Sequence, residues 1–346
     1  MPLTIITSDR FVDHVTPPGH PERPARAEAL AGVARRWRDR GVPVLEPRLA
    51  EEPDLVRVHD AAHVAAMRAT AGQATMIDAD TFTSPDSWTV GRLAAGAALT
   101  AVDAVLDGPA GSRAFALVRP PGHHAERDKA MGFCLFNSIA VGAAHARARG
   151  LARVAVMDYD VHHGNGTQQM FYDDPDVFFV STHQFPFYPG TGAAGETGQG
   201  DGAGYTLNVP LEAGATDADY DLVFREAVVP ALMAFKPDLL LVSAGFDAHA
   251  DDPLAGMRMS AGGFARLTAH LCAVADACCE GRMVLMSEGG YQADALAECA
   301  SRAVAVAAGE ERVLLGEPIP GDDRRGRSAV QQVHAAVRLP FHPWPR

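Results

Sequence analysis

Short apolar runs and longer amphipathic stretches alternate along this chain, and their order predicts the architecture. Apolar residues recur at helical spacing over residues 24–40, with Pro24 in the first turn and Gly41 just past the end, which predicts a helix. The same pattern returns at about 54–71, 87–107, 137–149, 217–235, 260–280 and 292–309. Between them lie compact runs of Val, Leu, Phe and Met at 113–118, 153–158, 177–181, 238–243 and 283–287. Runs that short and that uniformly apolar read as strands buried on both faces. Strands alternating with helices predict an α/β fold, a mostly parallel sheet with helices on both faces. With no internal repeat and no long linker, one domain spanning 1–346 is expected.

The residues immediately after each apolar run change the picture from fold to chemistry. Phe115-Ala-Leu-Val118 leads into Arg119-Pro-Pro-Gly-His123-His124, and Val154-Ala-Val-Met157 into Asp158-Tyr-Asp160-Val-His162-His163-Gly-Asn165. Val177-Phe-Phe-Val180 leads into Ser181-Thr182-His183, Leu239-Leu-Leu-Val242 into Ser243-Ala-Gly-Phe-Asp247, and Met283-Val-Leu-Met286 into Ser287-Glu288-Gly-Gly-Tyr291. Ligand sites of open parallel sheets lie beyond the carboxyl ends of the strands, so five segments deliver polar groups to one place. Asp-x-His puts an oxygen and a nitrogen on the same side of an extended backbone, a way to hold Zn2+. An adjacent His-His pair is raw material for proton transfer near neutrality. Together they point to metal-assisted hydrolysis.

Composition then excludes several classes. The net charge is −13, with 28 arginines and two lysines (Lys129, Lys236) scattered along the chain. Phosphate recognition needs a contiguous basic footprint, so neither a nucleic acid nor an anionic membrane surface is an expected partner. The N-terminal apolar stretch is too short for a signal peptide, and no run approaches about 18 consecutive apolar residues. Five cysteines without zinc-type spacing fit reduced thiols, and a cytoplasmic location is expected. The stretch 183–205 carries seven glycines and reads as a long functional loop, whose Phe185, Phe187 and Tyr188 suggest a wall for an apolar substrate chain.

The motifs together resemble the zinc-dependent histone deacetylase family, in particular its bacterial class II-like deacetylases and acetylpolyamine amidohydrolases. The matching segments are Gly19-His-Pro-Glu-Arg-Pro24, Arg119-Pro-Pro-Gly-His-His-Ala125, Gly132-Phe-Cys-Leu-Phe-Asn137, Asp158 to Gly166, Tyr188-Pro-Gly-Thr-Gly192, Ala244-Gly-Phe-Asp247 and Glu288-Gly-Gly-Tyr291. They occur in the family's order across most of the chain. The resemblance implies the arginase/deacetylase fold around an eight-stranded parallel sheet. It implies one catalytic Zn2+ on Asp160, His162 and Asp247, with Fe2+ open as the native metal. It makes His123 and His124 the general base and acid, facing Asp158 and Asn165 respectively. Class I-like members carry an acid where Asn165 stands. Tyr291 is implied to donate to the oxyanion, and His163 to be support.

The same resemblance places Gly132, Phe133, Tyr188 and Leu254 along the substrate tunnel. Asp80 reads either as a tunnel-mouth contact to substrate backbone or a distant amine, or as a turn acid. Structural K+ is implied on Asp158, Asp160, His162, Ser181 and Thr182, and a second on Phe171, Asp174, Val177 and Tyr205. Polyamine-selective relatives tend to place an acid after the Asp-Pro that follows the third metal ligand; here Asp252-Pro253 is followed by Leu254. Acyl-lysine is therefore the expected substrate, with a small acetylated amine as the alternative. A homo-oligomer, dimer or tetramer, is in keeping with the bacterial relatives. Asp247-Ala-His249-Ala-Asp251 also mimics a binuclear-manganese ureohydrolase signature, but His123-His124 and Tyr291 occupy the positions that bridging carboxylates would need. A non-catalytic acyl-lysine binder is the remaining class, disfavoured because every catalytic position is filled.

Overall fold

A computed structural model describes residues 2–341. In chain order its strands are Leu3–Ile6 (β1), Val44–Leu45 (β2), Thr75–Met76 (β3), Phe82–Thr83 (β4), Arg113–Ala116 (β5), Val154–Asp158 (β6), Val177–Gln184 (β7), Thr206–Leu211 (β8), Leu239–Ala244 (β9) and Met283–Ser287 (β10). β3 and β4 form a small antiparallel pair, and the other eight make one sheet in the order β2-β1-β5-β10-β9-β6-β7-β8. Every neighbouring pair in that sheet is parallel. The α/β fold with an eight-stranded parallel sheet is as expected.

Successive side chains on a strand point to opposite faces, and here each face is a separate core. Ala155, Met157, Leu240 and Val242 pack into one layer, while Val154, Val156, Leu239 and Leu241 pack into the other. The first layer lies under Pro24–Asp39, Ala261–Cys278 and Ala293–Ala308; the second lies under Ser87–Leu106 and Ser138–Ala148. Ser87–Leu106 is the one described helix long and apolar enough to cross a membrane, but 67% of its most apolar window is buried inside the protein.

Several elements escape the apolar pattern. β1 and β2 are too short to register, and β8 contains Asn208 and Pro210. Pro210 is tolerated because β8 is an edge strand. The helix Asn165–Phe171 is short and polar, and Arg324–Ala336 is polar except for a stripe of small residues, Gly326, Ala329, Val330 and Val333, that it buries. The helix expected at 54–71 is two, Glu52–Leu55 and Ala61–Ala69, with Asp60 starting the second. Residues 217–235 do run as helix, through a π-helical stretch at Phe224–Val228 just ahead of Pro230, which has no N–H for the regular ladder.

Sheet order, rather than chain order, assembles the site. The four central strands are β5, β10, β9 and β6, and their carboxyl ends lead to His123-His124, Glu288 to Tyr291, Asp247 and the Asp158 to His162 segment. The N-terminal segment is tied to these ends by a buried charge cluster. Glu22 accepts from Arg119 (Nε to Oε1 2.5 Å, Nη2 to Oε2 2.8 Å) and from Arg26 Nη1 at 3.0 Å. Arg26 in turn donates to the carbonyls of Gly290, at 2.7 Å, and Glu288. Burial opposes the Glu22 charge, and Arg119, His14 and Arg26 outweigh it, holding its carboxyl well below the usual range. Glu22→Ala strands two buried guanidiniums; urea unfolding should register a loss of about 3–5 kcal/mol, and an unchanged midpoint would deny the cluster this role.

Candidate active site and metal centre

Asp160 and His162 follow β6 on a turn whose backbone N–H groups face back on the carboxylates. Asp160 N–H donates to Asp158 Oδ1 at 3.1 Å, and His162 N–H to Asp160 Oδ1 at 2.9 Å. Asp247 sits beyond β9, its Oδ1 taking the Val161 N–H at 2.9 Å. His162 Nδ1 lies 3.2 Å from Asp160 Oδ1 and 3.1 Å from Asp247 Oδ2. One potential ligand atom from each of these buried residues lies within 4.8 Å of the others. One nitrogen and two carboxylates gathered this closely fit a divalent cation with coordination positions to spare. Among the described residues it is the one cluster of three or more such side chains that does so. His249 and Asp251 do not join it: His249 Nδ1 takes the Asp251 N–H at 3.2 Å and faces Asp251 Oδ2 at 3.8 Å, and Asp251 is exposed. Among the described residues the binuclear reading has no second set of ligands.

The two adjacent histidines meet different partners. His123 Nδ1 is 2.9 Å from Asp158 Oδ2, and its Nε2 is 3.8 Å from Asp160 Oδ1. Burial opposes its charge, but Asp160 and Asp158 raise its pKa to about 10. His124 Nδ1 is 2.7 Å from Asn165 Oδ1. Burial, then His123 and His162, push His124 well below its ordinary value. The two rings, with centroids 4.0 Å apart, are thus driven in opposite directions, His123 toward the cation and His124 toward the neutral imidazole. His162 is raised to about 10 by Asp160 and Asp247 against burial, and Asp247 is pushed up to about 7 by burial and Asp160. The cluster thus carries more carboxylate than its surroundings neutralise, which is the electrostatic mark of a cation site.

A narrow cavity of about 170 Å³ reaches this cluster. Asp80, Gly132, Phe133, Tyr188 and Leu254 all line it, together with His124, His162 and Tyr291. Phe187 lines it too, stacked on the His162 ring at 5.4 Å. Gly132 has φ +56, and a Cβ there would strike the His124 ring, so glycine is required both by conformation and by space. Phe133 follows with φ 68, a conformation a bulky residue adopts only under constraint; its N–H donates to Thr81 Oγ1 at 3.2 Å. Tyr291 is fixed by its N–H to Asp252 Oδ2 at 2.6 Å, with Arg26 over its ring at 5.0 Å. Burial raises its phenol well above the usual value, with Asp247 and Asp160 adding to the effect and Arg26 opposing it, so it stays protonated.

The residues named for K+ gather in two places. Asp158, Asp160, His162, Ser181 and Thr182 lie around the ends of β6 and β7, where Asp158 and Ser181 are register partners. Thr182 Oγ1 is buried without a hydrogen-bond partner. Phe171, Asp174, Val177 and Tyr205 lie near the opposite end of β7, their carbonyls and carboxylate engaged by local N–H groups at Phe171, Asp174 and Tyr205. His163 bonds Thr191 Oγ1 at 2.7 Å and Gln168 Oε1 at 3.0 Å, a supporting position. Sequence reasoning gave no role to Glu288, which takes the N–H groups of Gly122 (2.6 Å) and His123 (3.2 Å), to Asp252 behind Tyr291, or to Glu126. Phe187 had a signal, its place beside Tyr188 in an aromatic loop; Asp252 and Glu126 had none beyond proximity to a motif.

A parallel α/β sheet whose central strand ends surround a buried candidate metal site of two carboxylates and one histidine, a histidine pair and a phenol is the arrangement of a hydrolase. The model of the histone deacetylase domain matches residues 20–307, and the chain belongs to the histone deacetylase family, enzymes of the deacetylase and amidohydrolase type. It is 42% identical over 292 residues to the histone deacetylase-like amidohydrolase of Pseudomonas aeruginosa, covering 80% of this chain and 74% of that one. It is 39% identical to the polyamine deacetylase HDAC10 of Homo sapiens, covering 92% of this chain and 49% of that one. The crystal structure of the HDA15 HD domain superposes with a TM-score of 0.88 at 36% identity, covering 96% of this chain and 93% of that one. The fold is accordingly the arginase/deacetylase fold.

Asp247→Asn removes a ligand charge while keeping the side-chain shape. After dialysis the variant should retain at least about 10-fold less divalent metal than the parent protein, as read by elemental analysis; equal metal content would remove Asp247 from the centre.

Proposed function

We propose that this chain uses Zn2+ to hydrolyse N-acyl amides of the acetyl-lysine type, releasing acetate and a free amine. The observation that carries the reading is the convergence of Asp160, His162 and Asp247 with His123, His124 and Tyr291 at the end of one narrow cavity. Held by those three side chains, the ion supplies Lewis acidity toward water and an acyl oxygen. His124, neutral in its surroundings, takes the proton of the attacking water and returns it to the nitrogen as the C–N bond breaks. His123, paired with Asp158 at 2.9 Å and drawn by it toward the cationic form, offsets the negative charge that develops beside it. The Tyr291 phenol donates to the oxyanion. Phe133, Phe187 and Tyr188 exclude water from the methylene chain. Structural K+ near Asp158, Ser181 and Thr182, and a second near Phe171, Asp174, Val177 and Tyr205, belong to the same reading, supported by the resemblance and by the grouping of those residues.

Leu254 in the cavity wall favours acyl-lysine over a polyamine, since it offers no charge to a second ammonium. A specific observation favours the other reading: Asp80 lines the same cavity, with Asp78 accepting the N–H groups of Asp80 (3.1 Å) and Thr81 (2.7 Å) beside it. The likeness to a polyamine deacetylase points the same way. Competing acetyl-lysine peptides against acetylputrescine, acetylcadaverine and acetylspermidine, compared by kcat/KM, decides between them. Acetyl-lysine peptides should win, and a chelator should abolish turnover; chelator-insensitive cleavage, or no cleavage of any of these substrates, sinks the proposal. Tyr291→Phe should lower kcat by about 100- to 1000-fold with little change in KM; near-full turnover would remove the phenol from the chemistry.

A further inference from the structure

The amide of Asn165 faces two ways, and its far side is organised as closely as the side facing His124. Oδ1 lies 2.7 Å from His124 Nδ1. Around Nδ2 stand three acceptors: Glu126 Oε1 at 2.7 Å, His124 O at 3.4 Å and Met131 Sδ at 3.4 Å. Only the Glu126 contact is short and charge-assisted; the His124 carbonyl is at the outer limit of hydrogen bonding, and a thioether sulfur is a weak acceptor. Glu126 is itself held from the surface. Its N–H donates to Lys129 O at 3.0 Å, and its Oε2 takes Gln169 Nε2 at 3.2 Å and faces Lys129 Nζ at 3.3 Å. A polar cleft of about 270 Å³, lined by Glu126, Asn165, Gln168, Gln169 and Tyr172, reaches Asn165 from this side, away from the substrate cavity.

An asparagine amide is nearly symmetric in shape but not in chemistry. With Oδ1 toward His124, the ring must carry its proton on Nδ1, leaving the Nε2 lone pair for the cavity. With the amide turned over, an NH2 group would face Nδ1 and demand a lone pair there, which puts the proton on Nε2. That ring could not accept a proton from water. A carboxylate only accepts, so Glu126 accommodates one of the two amide orientations and rejects the other.

We propose that Glu126 is a positioning residue for the hydrolysis. By accepting from Asn165 Nδ2 it locks the amide, and through it holds His124 in the proton-accepting tautomer. Asn165 and Glu126 together do what one carboxylate beside His124 would do alone. The proposal rests on the role given to His124 above, and it assigns to a partly exposed side chain a share in the reaction that neither its exposure nor its distance from the cavity suggests.

The test is a pair of backgrounds. With Asn165 present, Glu126→Ala should lower kcat by about 10-fold or more, with KM, metal content and thermal midpoint unchanged. With Asn165→Asp, position 165 is acceptor-only on both oxygens and repels the Glu126 carboxylate. There Glu126→Ala should leave kcat unchanged or raise it. A full kcat in the Glu126→Ala protein, or the same loss in both backgrounds, overturns the proposal. A readout free of turnover uses 15N-histidine spectra, with His124 assigned by its absence in His124→Ala. The parent should show Nδ1–H for His124, and Glu126→Ala a shift toward Nε2–H; an unchanged tautomer overturns the proposal. An inactive parent protein would instead sink the functional reading, while the spectra still decide the part played by Glu126.

Discussion

Five carboxylates, Glu22, Asp158, Asp160, Asp247 and Glu288, are buried at the carboxyl end of one sheet, none more than 1% exposed. Desolvating that much negative charge is the constraint around which the rest of the molecule is arranged, since each unpaired buried ion would cost several kcal/mol. Fixed backbone donors meet part of it: Gly289 N–H reaches Asp160 Oδ2 at 2.7 Å, Val161 N–H reaches Asp247, and the Gly122 and His123 N–H groups reach Glu288. Arg26 and Arg119 meet another part at Glu22, and His123 a third at Asp158. What is left over centres on Asp160 and Asp247, where His162 stands between two acids and Asp247 is pushed up to about 7. A divalent cation held there would complete this arrangement.

The same balance separates two side chains that the sequence presents as equivalent. His123 and His124 are neighbours in the chain and nearly in contact as rings. One points to a carboxylate, the other to an amide, and burial acts on both. The carboxylates around His123 overcome burial; around His124 they do not. A division of labour between electrostatic support and proton transfer follows from that difference, and the proposed chemistry depends on it. The amide at Asn165 keeps a second negative charge out of van der Waals range of His124, at the cost of needing its own orientation fixed from behind.

Much of the site was legible because the fold places chemistry where strands end. Asp160, His162, Asp247, His123, His124 and Tyr291 each come after an apolar run, and parallel topology sends all those ends to one side. Elements without a strong apolar signature were not legible: β1 and β2 by brevity, β8 by Pro210, and Asn165–Phe171 by its polarity. The supports behind the site were hidden for a related reason. Glu126, Asp252 and Arg26 act through contacts with residues 39, 39 and 264 positions away, and no local pattern encodes such a meeting.

By itself the sequence determined the fold class, the set of reactive side chains and the family, because apolar periodicity and motif spacing are local properties written in the order of residues. Tertiary structure alone decided which of those side chains share a site and in what state. The strand order puts β10 and β9 between β5 and β6, so Tyr291 and Asp247 arrive between the histidine pair and the Asp-x-His turn, more than 80 residues from either neighbour along the chain. It also decided protonation, because a pKa answers to burial and to whatever charge lies a few ångströms away through space.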